Sequence, residues 1–393
     1  MLVTAGFATR AAVTWNGVTA RRMIRHALHE PAPELSPADV ASAICGAHAQ
    51  ISSAAELSIG RRIAGVTRAD VRRALWNERS LIKTFGPRGT VHLLPAAELP
   101  EWTGAHSVVP SPAPTHPDGV RFSPDQADEV IAAIGDALAD CDLTVDELTQ
   151  AIEDRLGGWA VERTMEAFAD KWPRWRQLTS AAAHRGVLCF GPDRGRKVTY
   201  TSPRRWLPGF RPADGEMAMR ALLMRYLRAY GPATPQHFAR WLGLPGRYAR
   251  ELFGRLASDL EPVNVDDGLS WTVAGDTSMP EEPHRGVRLL PYFDAYVVAG
   301  QPRERLYPGA AAARALTPAG QAGNFPVLLV DGIVGGVWHQ RRAGRGLAIT
   351  VEPLRKLTAR HYRQLCDEVD LVGAVMEATP ALTVGTVTTG AHA

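Results

Sequence analysis

Apolar positions recur at helical spacing through the first third of the chain. Thr14 caps the segment Trp15–Leu28, where Val18, Met23, Ala27 and Leu28 form an apolar side with arginines between them, and Pro31 and Pro33 end it. Ser36-Pro37-Ala38-Asp39 combines a cap, a first-turn proline and an early acid, so it predicts a second helix running into Val40–Gln50. A third helix is expected over Ala54–Ile63. Thr67 caps the segment Ala69–Phe85, and after Gly86-Pro87 the alternation in Arg88–Pro95 predicts a strand. Helices followed by a strand pair are the pattern of a winged helix.

The pattern recurs twice. Leu143–Glu147 opens a helix to Leu156, Trp172–Arg185 reads as a second helix, and Gly186–Gly191 with Lys197–Thr201 reads as a hairpin around Pro192–Arg196. In the third copy Glu216 starts a helix through Gly231, Thr234–Trp241 and Arg247–Ser258 follow, and Asp267-Gly268 marks a hairpin between Leu260–Val265 and Leu269–Val273. From Val287 the texture changes to β-rich runs, Arg288–Gly300, Phe325–Arg342 and Gly346–Leu354, separated by Gly/Pro turns. The expected fold class is α+β, a tandem of three winged-helix units with a C-terminal β-barrel. Its boundaries are 1–120, 121–212 and 213–277 for the units and 287–377 for the barrel, with a linker over Ser278–Arg285 and a frayed polar tail over 378–393. Three such units in one chain suit a duplex-gripping array, although winged helices also mediate protein contacts.

Composition narrows the class. The chain has 393 residues, 45% of them hydrophobic and 22% charged, enough for several folded domains and against wholesale disorder. No apolar run is long enough to span a membrane, and the N-terminal segment has no secretory pattern, so a cytoplasmic, nucleoid-associated protein is expected. Cys45, Cys141, Cys189 and Cys366 stand singly, which argues for reduced, mostly buried thiols and against a metal site; no cofactor is expected. The formal net charge is +3, carried almost wholly by arginine. A GC-rich genome explains that excess as readily as phosphate binding does. The only lysines are Lys83, Lys171, Lys197 and Lys356, so a Schiff-base mechanism has few candidate nucleophiles.

Five blocks in order, Trp15–Leu28, Ser36–Gln50, Leu81–Pro95, Arg185–Tyr200 followed by Trp206, and Leu289–Gly300, resemble the bacterial AlkZ-like winged-helix DNA glycosylases. The resemblance implies a C-shaped tandem of winged helices closed by the barrel, with duplex DNA carrying alkylated purines on the concave face. It also implies a Gln-x-Gln catalytic triplet, which here reads His48-Ala49-Gln50. The His-x-Gln form resembles the branch associated with resistance to bulky intercalating alkylators, and so implies large N7-guanine adducts.

An N7-alkylguanine is cationic and leaves readily, so the site must stabilise an oxocarbenium-like sugar and deliver a water. Neutral imidazole can accept the proton of that water, and Gln50 can orient it, which makes His48 the base candidate. Positions i and i+2 do not share a helix face, so a common site requires the chain to leave the helix before His48. Without the motif, His48 reads equally as a histidine hydrogen-bonded at a helix end. Asp294, within Tyr292–Tyr296, is a second catalytic candidate through its charge, and equally a turn or cap residue. Arg88, Arg194 and Arg196 are phosphate candidates, with Lys197 and Tyr296 as further DNA contacts, against the reading that any hairpin tip is charged and solvated. The tryptophans Trp15, Trp76, Trp159, Trp172, Trp241 and Trp338 are expected in the core. The expected activity is that of a monomeric, monofunctional glycosylase; a winged-helix transcription regulator and a protein that sequesters adducts without turnover are the competing classes.

Overall fold

Capping residues set most of the helix starts. Reciprocal capping boxes join Ser36 to Asp39, Thr67 to Asp70, Ser123 to Gln126, Thr144 to Glu147 and Thr234 to His237, and proline occupies the first turn at Pro37, Pro124 and Pro235. The computed structural model describes residues 11–110, 117, 119–166, 171–266 and 268–390; Asp267 of the expected third turn lies outside the described residues.

The helices alternate with small sheets in a mixed α+β architecture. Pro37–Ala43, Ser52–Gly60 and Arg68–Trp76 surround an antiparallel sheet in which Val91–Pro95 lies between Ala47–His48 and Leu81–Phe85. Pro124–Leu138, Val145–Leu156 and Thr179–His184 pack on a second sheet with Lys197–Thr201 between Leu143–Thr144 and Cys189–Arg194, around a core of Ile134, Leu148, Ile152 and Trp175. Gly215–Tyr230, Pro235–Leu242 and Gly246–Arg255 precede the hairpin Leu260–Val265/Gly268–Val273. The C-terminal sheet runs in the order Val287–Leu290, Val327–Val330, Ile333–Ala343, Gly346–Pro353 and Thr379–Val384.

Several expectations are corrected. The C-terminal sheet is not a closed barrel: its first and last strands are unpaired with each other, and the 18-residue helix Ala359–Met376 covers it through Leu365, Val369 and Val372. The expected tail opens with a strand, because Thr379–Val384 adds in parallel to Gly346–Pro353. Trp172–Arg185 is not one helix. Pro173 takes extended angles and lacks an N–H, so Lys171–Pro173 pairs as a strand with Arg163–Glu166 and the helix begins only at Thr179. Trp172 is 39% exposed, with Arg176 over its ring, whereas Trp175, Trp241 and Trp338 are buried. Two of the four thiols, Cys141 and Cys366, are exposed.

The first helix, Trp15–Arg25, packs on parts of the chain more than 200 residues away. Ala12–Val13 pairs in parallel with Leu260–Val265, Val18 packs on Val263 and Val265, and Met23 and Leu28 enter the core of the C-terminal sheet. Arg22 donates to the carbonyls of Gln301 and Pro232, and Arg25 pairs with Asp276. Tyr296, the expected DNA contact, belongs to this core: its hydroxyl donates to the Gly332 carbonyl at 2.8 Å and it is 3% exposed, because Ala295–Ala299 is a short buried helix.

One buried ion pair ties these parts together. The Arg62 guanidinium donates to both oxygens of Asp294 at 2.8 Å, and to the carbonyls of His26 and Ser58. Ser58 Oγ and the Tyr296 N–H donate to the same carboxylate. Burial pushes the Asp294 carboxyl up, but the Arg62 charge and these hydrogen bonds outweigh it and hold the group below the ordinary carboxylate value. Replacing Arg62 by Met leaves a buried, unpaired carboxylate, so stability should fall by ~3–5 kcal/mol. Urea unfolding reads this as a lower midpoint; a midpoint equal to wild type would show that the pair does not hold the chain together.

Candidate active site

The motif segment is shaped by a sharp exit from a helix. Pro37–Ala43 ends, Cys45 takes φ +54° and Gly46 φ +98°, and the chain then runs extended through Ala47–His48. The left-handed turn falls on Gly46 for a steric reason as well. A Cβ there would lie 2.7 Å from Leu94 Cδ2 and 3.3 Å from the His92 ring. The extended segment pairs Ala47 with Leu93 and His48 with His92, and the Ala49 N–H donates to the Val91 carbonyl. Ala47 and Ala49 enter the helical core, His48 stands on the other face of the strand, and Gln50 follows just beyond the strand's end. The required break is present, and its form is a strand.

His48 is held between rings. Phe293, from the C-terminal sheet's side, stacks on the imidazole at 4.5 Å with planes 24° apart, and His92 meets it edge-on at 5.0 Å. The Gln50 N–H donates to His48 Nδ1 at 3.4 Å, a long contact that leaves the proton on Nε2 and places a loosely held lone pair beside Gln50. Burial, with the Arg88 charge as a second cause, pushes the imidazole down to about 4, so it is neutral throughout the physiological range. His92, buried and next to His48 and Arg88, is likewise pushed well below its ordinary value. Gln50 is exposed.

The other candidates are dispersed. Asp294 is 1% exposed and both its oxygens are taken up by Arg62, Ser58 and the Tyr296 N–H, so its carboxylate is not offered to a substrate; its neighbour Phe293 is what reaches His48. Arg88 sits at φ +58° in the turn between Leu81–Phe85 and Val91–Pro95, and donates to the Trp241 carbonyl at 2.7 Å. In the second hairpin Arg194 pairs with Glu147 and Lys197 with Asp146, while Arg196 is exposed. Lys83 pairs in register with Leu93 and thus stands on the sheet face opposite His48, where it donates to Ser52 Oγ at 3.2 Å. That face borders a cavity of about 320 Å³ lined by Glu56, Arg72 and Trp76. Among the described residues no cluster of three or more histidine, cysteine or acidic side chains could hold a metal, and no helix is long and apolar enough to cross a membrane.

Known proteins share this architecture. A solved structure, the Streptomyces sahachiroi DNA glycosylase AlkZ, superimposes with a TM-score of 0.79 at 28% identity, covering 95% of this chain and 100% of that one. A curated relative from the same organism, an interstrand DNA cross-link repair glycosylase, is 34% identical over 344 residues, 83% of this chain and 88% of its own. The model of the DNA glycosylase AlkZ-like family matches residues 41–375. The chain belongs to the AlkZ-like DNA glycosylase family. It is thus a DNA glycosylase, a DNA-acting enzyme, and the regulator class is set aside.

Two residues of this AlkZ-like site escape a reading by residue type. His92 becomes visible once Ala47–His48 is taken as a strand, since the alternation of Arg88–Pro95 then puts it opposite His48. Phe293 carries no such signal, because its approach depends on a positive φ of +56° and on pairing across more than 200 residues. The turn at Gly46 is the local determinant of the site. Gly46→Ala should cost ~1–3 kcal/mol, the usual range for a side chain forced into a sparsely populated backbone region. Thermal melting would record the loss; an unchanged melting temperature would mean the turn relaxes freely and does not define where His48 stands.

Proposed function

We propose that this enzyme is a monofunctional glycosylase that removes bulky N7-alkylguanine adducts from duplex DNA, with His48 and Gln50 handling the water. The observation that carries the reading is a buried, neutral imidazole on the short strand Ala47–His48 whose Nδ1 accepts from the Gln50 N–H. In an N7-alkylguanine the glycosidic bond breaks toward a neutral leaving base and an oxocarbenium-like sugar. Water that attacks this sugar carbon forms a C–O bond and becomes strongly acidic as it does so. A weak base is therefore sufficient. The His48 lone pair takes the proton, Gln50 orients the oxygen, and the products are free alkylguanine and an abasic site. An imidazolium at this position would repel both the cationic base and the sugar cation, so neutrality of His48 favours the reaction independently of its basicity.

Support for bulky adducts comes from the His-x-Gln form of the motif and from the relative named for cross-link repair. The three helical segments, each followed by a strand pair, act in this reading as winged-helix units of a monomer with boundaries near residues 120, 212 and 277, the first helix apart, and the C-terminal sheet extends through Thr379–Val384. Arg88, Arg194, Arg196 and Lys197 are the proposed phosphate contacts. The ion pairs of Arg194 and Lys197 with Glu147 and Asp146 are solvent-exposed and screened, so they hold weakly and a phosphate can displace the carboxylate at little cost.

His48→Ala and Gln50→Ala should each slow single-turnover excision from an N7-alkylguanine duplex by ~10²–10⁴-fold with DNA affinity little changed. Wild-type rates in both variants would refute the assignment. For the phosphate contacts, a protein that neutralises Z phosphates loses affinity with a slope near −0.9Z in log K against log salt. The double variant Arg194→Ala/Arg196→Ala should flatten that slope by up to ~2 and weaken damaged and undamaged duplex alike. An unchanged slope would turn this hairpin away from the DNA.

A further inference from the structure

Phe293 adopts φ +56°, in the left-handed region that bulky side chains avoid, and its surroundings over-determine that conformation. The next residue, Asp294, is fixed by the four hydrogen bonds of the Arg62 pair and its neighbours. The Phe293 N–H donates to the Gly323 carbonyl at 3.2 Å. Gly323 itself has φ +102°, and a Cβ there would lie 2.8 Å from Phe293 Cδ1, so the ring uses space that only glycine leaves open. A strained aromatic residue clamped on both sides, with its ring stacked at 4.5 Å on His48, is arranged to act on that histidine.

We propose that Phe293 is a positioning residue for the reaction: stacked on His48, it fixes the orientation of the imidazole and keeps water off one of its faces, so that the C-terminal sheet completes the site built by the motif segment. The inference rests on the reading of His48 as the group that handles the water. Among the described residues, the other titratable or charged groups at His48 are His92, from the paired strand, and Arg88, from the turn before it; from the C-terminal side Asp294 is occupied by Arg62. None of these supplies a negative charge that would favour imidazolium. The consequence of the stacking is therefore a histidine kept neutral by exclusion of solvent. Removing the ring readmits water and should let the group return toward its ordinary value of 6.5 from about 4.

The test compares wild type, Phe293→Leu and Phe293→Tyr, with folding checked by thermal melting and Phe293→Met used in place of the leucine variant if the latter does not fold. Two readouts are taken: the NMR titration of the His48 ring, and single-turnover excision from an N7-methylguanine duplex between pH 5 and 8.5, corrected for spontaneous depurination. The expected result is a higher titration midpoint for Phe293→Leu and, with it, a ~10-fold loss of rate one pH unit below the new midpoint, where wild type is still flat. Phe293→Tyr, which keeps the ring, should behave as wild type. An unmoved midpoint and a flat profile in a folded leucine variant overturn this inference alone. A His48→Ala protein that excises as fast as wild type overturns the reading beneath it and this inference together.

Discussion

The buried pair between Arg62 and Asp294 is the joint on which the arrangement of the site depends. Neither charge touches solvent, and an isolated charge so placed would be costly by several kcal/mol. The two therefore have to meet, and the backbone segments that carry them have to meet as well. Arg62 lies just beyond the helix Ser52–Gly60 that follows the motif, and Asp294 caps the short helix Ala295–Ala299 beside the C-terminal sheet. The remaining donors of Arg62 reach the His26 and Ser58 carbonyls, so the end of the first helix is drawn into the same joint. Replacing such a pair by well-packed apolar residues is often neutral for stability. What the pair supplies here is registration: it accepts one relative placement of three distant segments, and Phe293 meets His48 only in that placement.

Much of the local architecture was legible because it is encoded locally. Serine and threonine caps with an acid or glutamine three residues on mark helix starts whatever the tertiary context, and the hairpins at Cys189–Thr201 and Leu260–Val273 follow from alternation around turn residues. The helix Pro124–Leu138 carries the same kind of signal, a complete capping box at Ser123–Gln126, and could have been read from it. The two-residue strand Ala47–His48 could not, because it is too short to show a period and exists through its pairing with Val91–Pro95.

The helix expected over Trp172–Arg185 fails on a local cause, Pro173, but most of the other errors share one physical origin, which is partners far away in the chain. Thr379–Val384 is short and carries a proline, and the edge of Gly346–Pro353 makes it a strand. Tyr296 stands beside a site residue in sequence, yet its ring is drawn into the core by Met23 and Leu28 and its hydroxyl by the Gly332 carbonyl. Asp294 reads from the sequence as a catalytic or a capping acid; it does cap Ala295–Ala299, and the catalytic reading fails because Arg62, 232 residues away, takes up its charge. Trp15–Arg25 reads as the opening of the first unit, although its arginines are satisfied by Gln301, Pro232 and Asp276. Amphipathic period tells that a helix has an apolar face and not which core receives it.

On the proposed reading, the substrate base and the sugar at the transition state are both positive, while the DNA that carries them is held by its negative phosphates. The enzyme then needs cations at its rim and none free at its centre. The buried arginines meet the second condition: Arg62 is neutralised by Asp294, Arg61 by Glu368, and Arg22 is wrapped by backbone carbonyls. Histidine is compatible with the same condition only if it stays neutral, which burial between Phe293 and His92 secures. Arg88 is the exception, since its charge is felt at His48 and it points to the Trp241 carbonyl rather than to a carboxylate. A phosphate drawn to Arg88 would cancel that charge on arrival of the substrate strand, so this cation near His48 lies where binding of DNA itself can neutralise it.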